Sequence, residues 1–257
     1  MSNHIGITTP GKRPQNEDCY GIHPIGNQAY LYTVCDGVGG CAGGQIASAL
    51  ALSSFSDFIQ DHCSPWSTEE WESIPLAQIK RIMRAAATHA TRTVRAAALH
   101  DPNLTDMAST LVAALVTDRR AYILHVGDSR LYIVTENAVE KMTRDHSYLQ
   151  YLIDVGRVTK EQAREMKIEN YITQAIGIYD HVDGDFCALD LSAYPSDTYL
   201  LLCTDGLWQS VKKPLMQQIL ISDRSLADKA EMLIHAALDG GSEDNITALI
   251  AVTRRRS

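Results

Sequence analysis

The chain has 257 residues, 45% hydrophobic and 21% charged, and its 23 Lys and Arg against 31 Asp and Glu leave a formal net charge of −8. That length supports a sizeable core in one domain or two, and the acidic balance excludes a general nucleic-acid binder, which needs a basic face for phosphate. No stretch is long and apolar enough to span a membrane, and the opening "MSNHIGITTPGKRPQNED" lacks a signal-peptide core.

From the N-terminus, the first clear element is the apolar run 28–35 (QAYLYTVC), which reads as a buried strand and ends on Asp36 and Gly37. Past a glycine-rich turn, good helix formers predict a helix from about Gln45 to Phe58. Helical spacing is clearest at 76–99, where Ile79, Ile82, Met83, Ala86, Ala90, Val94 and Ala97 recur on one face. Three strand-like runs follow at 111–117, 121–126 and 130–135, joined by "DRR" and "GDS", and their short connections predict an antiparallel meander. Residues 147–172 are a more polar helical excursion, and a further apolar run at 198–203 (TYLLLC) again closes on a carboxylate and glycine, Asp205 and Gly206. A helix over Leu226–Ala237 has Ser225 as N-cap and Gly240 past its end, and the last strand is 246–252.

Strands cluster and long helices separate the clusters, so the order predicts an α+β fold rather than a doubly wound parallel sheet. With no linker-like stretch and no repeat, a single domain over 1–257 is expected. The six cysteines (19, 35, 41, 63, 187 and 203) form no C-x-x-C. Two of them lie in apolar runs as small hydrophobes, and reduced, buried thiols suit a cytoplasmic protein. The "RRR" at 254–256 reads as a solvated tail.

Four aspartates share one context, the end of an apolar run beside a small or polar residue: Asp36, Asp128, Asp205 and Asp244. Each alone reads as a turn residue, since Asp-Gly is a common turn dipeptide. Four at strand ends can converge on one rim, where mutual repulsion and burial make their charge costly. Divalent cations resolve that conflict, and all-oxygen ligands select Mg²⁺, Mn²⁺ or Ca²⁺. Gly37, lacking a side chain, leaves its carbonyl able to turn toward an ion. In "RPQNED", Arg13 offers a planar fork for a phosphate, and Glu17 and Asp18 can hold metal-bound water.

Competing motifs fail. "GITTPGKR" (6–13) has Arg13 where a phosphate loop needs Ser or Thr, and neither a Rossmann glycine register nor G-x-S-x-G is present. His125 and His146 are expected to be satisfied core or turn histidines.

In order, "RPQNED", "CDGVGG", "HVGDSRLY", "TRDHS", "TQAIG", "LLCTDGLW" and "SEDNITALIAV" resemble the metal-dependent serine/threonine protein phosphatases of type 2C in their compact bacterial form, from about Arg13 to Val252. The resemblance implies two central antiparallel β-sheets packed as a sandwich with helices on both sides. It implies two Mn²⁺ or Mg²⁺ ions, with Asp36 bridging them, the Gly37 carbonyl joining one, and Asp205 and Asp244 completing the other. Asp128, with Asp205, matches a third, weaker ion's position. Arg13 matches the substrate-phosphate arginine, Glu17 and Asp18 the residues that hold metal-bound water, and Asn245 a positioning residue. The 147–172 stretch matches the flap over the active site. The implied reaction is hydrolysis of phosphoserine or phosphothreonine by a metal-bridged hydroxide. Phosphoproteins are the implied substrates and a eukaryotic-like Ser/Thr kinase the opposing partner, and a monomer is expected.

The chain departs from the family at three places. Val38 stands where some relatives carry a histidine proposed as general acid, Ala108 and Ser109 replace a Gly-Thr or Gly-Ser pair, and the flap lacks a His-Pro before "NYIT". The rival class is a non-enzymatic regulatory module, against which the retained aspartates speak. A second rival keeps the chemistry but acts on a small phosphoester.

Overall fold

The computed structural model describes residues 3–39, 43–165 and 171–253, so the 254–256 tail lies outside the described residues. In chain order the strands are β1 (His4–Thr9), β2 (Asp18–Ile25), β3 (Ala29–Val38), β4 (Ala108–Ser109), β5 (Leu111–Thr117), β6 (Arg120–Val126), β7 (Arg130–Val134), β8 (Val139–Lys141), β9 (Asp185–Asp190), β10 (Thr198–Cys203) and β11 (Ile246–Thr253). The helices are α1 (Gly43–Cys63), α2 (Thr68–Ser73), α3 (Leu76–His100), α4 (Tyr148–Asp154), α5 (Lys160–Glu165), α6 (Asp205–Trp208), α7 (Lys213–Leu220) and α8 (Leu226–Asp239).

The strands form two sheets, one in the order β1-β11-β10-β7-β8 and one in the order β2-β3-β5-β6-β9, with β4 pairing β3. Neighbours within each sheet run antiparallel. Side chains alternate across a strand, and here both faces are covered. Along β3, Leu31 and Cys35 pack toward α1 and α3, while Tyr32 and Val34 pack between the sheets. Along β10, Leu200 and Leu202 point between the sheets, while Leu201 and Cys203 meet α7 and α8. Double coverage explains why these strands read as continuous apolar runs rather than alternating ones. The result is the expected α+β sandwich of two sheets between helical layers.

The helices keep their expected faces. Ile79, Met83, Ala86, Ala90 and Val94 of α3 are fully buried. The Ser225 side chain accepts from the Asp228 N–H, and Asp228 answers the Ser225 N–H, closing a capping box at the start of α8. The helix after the glycines is longer than expected, because Ile59 and Cys63 extend its buried stripe beyond Phe58.

The predicted meander is wrong at its second turn. β5 and β6 pair, but β7 belongs to the other sheet, between β10 and β8. Gly127, at φ +101°, carries the chain across, and a Cβ there would lie 2.6 Å from Thr110 Cγ2. The three-residue connection looked like a hairpin because sequence spacing does not reveal a change of sheet. Five strands carry no clear sequence signal: β4 and β8 have only two and three residues, and the other three have weak patterns. β1 is only half-buried along its length, β2 carries Gly21 and Pro24, and β9 is half-buried with exposed aspartates at both ends.

The excursion at 147–172 contains α4, capped by Ser147, and α5. Its ends are tied together by a Ser147–Ile172 bridge and by the Tyr148 N–H donating to the Tyr171 carbonyl at 2.8 Å. Residues 166–170, part of the stretch that lacks His-Pro, lie outside the described residues.

Candidate active site

Asp36 leaves the end of β3 and Asp18 opens β2, and the two are direct partners in the β2–β3 register. Residues opposite one another on antiparallel strands project to the same face. The backbone of Asp36 is locked: its N–H donates to Thr110 Oγ1 at 2.9 Å, and its carbonyl accepts from the Thr110 N–H at 2.8 Å and Ser109 Oγ at 3.1 Å. Ser109, at a site of departure from the family pattern, thus still supports the strand end.

Asp205 follows β10 directly and starts α6, while Asp244 sits in the turn entering β11, the neighbour of β10. Gly206 allows their approach, since a Cβ there would lie 2.1 Å from the Asn245 carbonyl oxygen. The Asp36 and Asp205 carboxyls are close enough to perturb one another electrostatically. Asp128 lies at the crossover between β6 and β7, where the Trp208 indole N–H donates to its carbonyl at 3.0 Å.

The electrostatics are those of crowded acids. Burial first, then Asp18, Asp205, Asp128 and Asp244, hold the Asp36 carboxyl well above the usual range. Asp18 is pushed up to about 7 by burial and by Asp205 and Asp244, against the hydroxyls of Thr247 and Thr204. Asp128 rises to about 7 through burial, Asp205 and Asp145, and Arg130 opposes this only partly. The Arg130 fork is committed to Asp145 and lies 3.2 Å over the Trp208 ring. Asp205 reaches about 6, chiefly through burial and Asp244.

Arg13 is at the rim with half its side chain exposed, donating to Asp244 Oδ2 at 3.0 Å and to the Glu243 carbonyl at 3.2 Å. An exposed pair of this kind is worth little, so the guanidinium exchanges partners at low cost. Asn245 is a staple. Its Nδ2 donates to the carbonyls of Pro10 and Gln15, and its Oδ1 accepts the Glu17 N–H at 2.8 Å. Burial raises the Glu17 carboxyl, and Arg13 opposes it.

All the sequence-derived site residues therefore gather at one end of the sandwich, and the structure adds a supporting shell. Asp18 Oδ2 accepts from Thr204 Oγ1 at 2.8 Å and Thr247 Oγ1 at 2.7 Å, while its Oδ1 is buried with no partner. The threonines of "CTDG" and "NIT", each beside a candidate residue, were the available signal. Glycine at 37 also meets a steric requirement, beyond the expected freedom of its carbonyl. A Cβ there would lie 1.9 Å from the Gly44 carbonyl oxygen, so close approach of α1, not a special φ, requires it. Gly37→Ala is expected to cost about 2 kcal/mol or more of unfolding free energy, which urea denaturation would measure. Unchanged stability would mean that α1 yields freely.

Val38 is exposed and supplies no acid. His146 is satisfied as expected, but neither ring nitrogen of the buried His125 has a hydrogen bond of good geometry. That corrects the reading of His125 as a satisfied core residue.

The donor set suits a hard divalent cation. It is oxygen throughout, an orphaned buried oxygen lies at Asp18, and a Cβ on Gly44 would fill the gap 2.9 Å from the Gly37 carbonyl oxygen.

The chain is similar to known serine/threonine phosphatases. A serine/threonine phosphatase stp from Listeria welshimeri is 33% identical over 238 residues, 93% of this chain and 90% of that protein. The crystal structure of the serine/threonine phosphatase Stp1 from Staphylococcus aureus matches with a TM-score of 0.85 and 30% identity, over 98% of this chain and 95% of that one. The catalytic domain of the serine threonine protein phosphatase PstP, in complex with two manganese ions, matches with a TM-score of 0.77 and 27% identity over 97% and 96% of the two chains. Since the sequence profile described as protein phosphatase 2C also spans residues 12–233, the carboxylate rim sits in a chain that belongs to the protein phosphatase 2C family.

Proposed function

We propose that Asp36, the Gly37 carbonyl, Asp205 and Asp244 hold two Mn²⁺ or Mg²⁺ ions, and that Asp128 with Asp205 holds a third, weaker one. The chain is a metal-dependent serine/threonine protein phosphatase. The observation that carries the site assignment is the convergence of carboxyls whose charge the fold disfavours unless cations balance it. When bound, such ions activate water and neutralise phosphoryl oxygens.

The chain's own residues do the rest. Arg13 leaves Asp244 and takes two oxygens of the phosphoryl group through its fork, fixing the phosphorus for in-line attack. Asp18 Oδ1 accepts from water at the centre, and Glu17 holds water nearer the rim. Asn245 fixes the loop carrying Arg13 and Glu17. No side-chain acid stands at Val38, so the leaving serine or threonine oxygen takes its proton from solvent.

The catalytic unit is a single domain over 1–257, with the 147–172 segment as a flap beside the site. Its substrates are phosphoserine and phosphothreonine proteins, its opposing partner a eukaryotic-like Ser/Thr kinase, and it works as a cytoplasmic monomer. Among the described residues no helix is long and apolar enough to cross a membrane.

The test is hydrolysis of para-nitrophenyl phosphate and a phosphothreonine peptide in Mn²⁺, in Mg²⁺ and in EDTA. Turnover is expected with either metal and none in EDTA. Folded protein inactive with both metals would make the chain a regulatory module. Arg13→Ala should lower kcat/KM by about 100-fold on both substrates, and Arg13→Lys should recover little, because an ammonium lacks the two-pronged geometry. Full recovery by Lys would reduce Arg13 to a point charge.

A further inference from the structure

His125 on β6, His146 just before the flap and Asp185 at the start of β9 meet on the far side of the Gly127 crossover. His125 and Asp185 are direct partners in the β6–β9 register, and the two imidazoles stand 4.6 Å apart between centroids. His146 Nε2 lies 3.3 Å from Asp185 Oδ2. One ligating atom from each of the three lies within 4.8 Å of the other two. His125 is 1% exposed, and both of its ring nitrogens are buried without a hydrogen bond of good geometry, the Gly127 backbone offering only a weak contact.

A buried polar group with no good partner requires an explanation. A plain His146–Asp185 ion pair accounts for the 3.3 Å contact but leaves His125 poorly satisfied. A shared cation accounts for both. Two ligands about 2.0–2.1 Å from a tetrahedral ion stand roughly 3.3–3.4 Å apart. Burial, then His146, push the His125 imidazole down to about 3, so the ring is neutral with a lone pair to give. The Asp185 side chain is 57% exposed, which leaves an entry path and room for a water as fourth ligand.

We propose that His125, His146 and Asp185 form a transition-metal site, distinct from the carboxylate centre, that takes Zn²⁺ or Co²⁺ and clamps the chain on either side of the flap onto β6. Two imidazoles and one carboxylate favour these ions over Mg²⁺, whereas the all-oxygen rim does not. Binding has one structural consequence. His146 Nδ1 accepts the Gly127 N–H at 3.2 Å, which places the ring proton on Nε2. A cation on Nε2 moves that proton to Nδ1, so the Gly127 N–H gives up this acceptor while the His146 N–H keeps the Gly127 carbonyl at 2.7 Å. Gly127 precedes Asp128, so the clamp acts on the loop that presents Asp128.

The experiment compares chelator-stripped wild type, His125→Leu and Asp185→Ala by equilibrium dialysis against Zn²⁺ with elemental analysis. Imidazole ¹⁵N spectra of the wild type during the same titration give a second readout. The wild type should hold one more equivalent of Zn²⁺ than either variant, and the ring nitrogens of both His125 and His146 should shift. Asp185 is exposed, so its variant keeps the test valid if His125→Leu fails to fold. Equal Zn²⁺ content in wild type and Asp185→Ala, or His125 resonances unmoved by Zn²⁺, would overturn the proposal. Neither readout needs turnover, so an inactive carboxylate centre would leave the result interpretable.

Discussion

Asp205→Asn is expected to lower turnover by about 1,000-fold or more while raising the melting temperature of the metal-free protein. The first effect follows from removing a charged oxygen from a centre that must hold two cations and the charge developing on phosphorus. The second follows from electrostatics without metal. Asp205 is raised to about 6 by burial and Asp244, so above that pH its charge opposes folding. Asparagine keeps an oxygen for the Gln209 amide, which donates to Asp205 Oδ2 at 2.8 Å, but carries no charge. The gain is on the order of 1–2 kcal/mol after solvent screening, which amounts to a few degrees for a chain of this size. Phosphopeptide turnover and thermal unfolding in EDTA measure the two halves separately. A variant with near-wild-type activity would sink the ligand assignment, and one that melts lower in EDTA would sink the electrostatic account. Asp36, buried more deeply among the same acids, should behave likewise.

The metal-free protein should also lose stability as pH rises from 5 to 8. Asp18 and Asp128 titrate near 7 in the folded state and Asp205 near 6, all above the ordinary carboxylate value. Between pH 4 and 7 these three carboxyls bind more protons in the folded chain than in the unfolded one, so together they give the unfolding free energy a negative slope with pH, which the buried His125, lowered to about 3, opposes below about pH 6.5. The stabilisation is complete below the unfolded pKa and is lost as pH passes the folded values. Asp18 alone contributes a loss on the order of 2 kcal/mol across that window. Saturating Mn²⁺ or Mg²⁺ should flatten or reverse the trend, because cations bind the ionised form. Urea denaturation at pH 5 and 8, with EDTA and with Mg²⁺, tests this. Equal stability at the two pH values in EDTA would show that the carboxyls are not held in competition.

Some of the site was legible because its residues interrupt strong local patterns. Asp36 and Asp205 close apolar strands, and a carboxylate there has few physical reasons to exist. Asp128 and Asp244 lie in similar contexts, and the ordered motifs joined them to one family. Asp18 was visible only as one acid of an exposed-looking loop. Its position opposite Asp36, with one oxygen on two threonines and the other on nothing, depends on the β2–β3 register. β2 itself was hidden, since glycine and proline break its pattern.

Local pattern alone specifies the apolar strands, the seams of α3 and α8, the carboxylates at strand ends and the arginine near them. These follow from periodicity and from the cost of charge, which act locally. Tertiary structure alone decided that β6 and β7 part into different sheets at Gly127, that Gly37 is required by the approach of α1, and that His125, His146 and Asp185 meet. Each depends on which surfaces lie within a few ångströms across long stretches of chain, and the periodicity and spacing of the residues do not encode that distance.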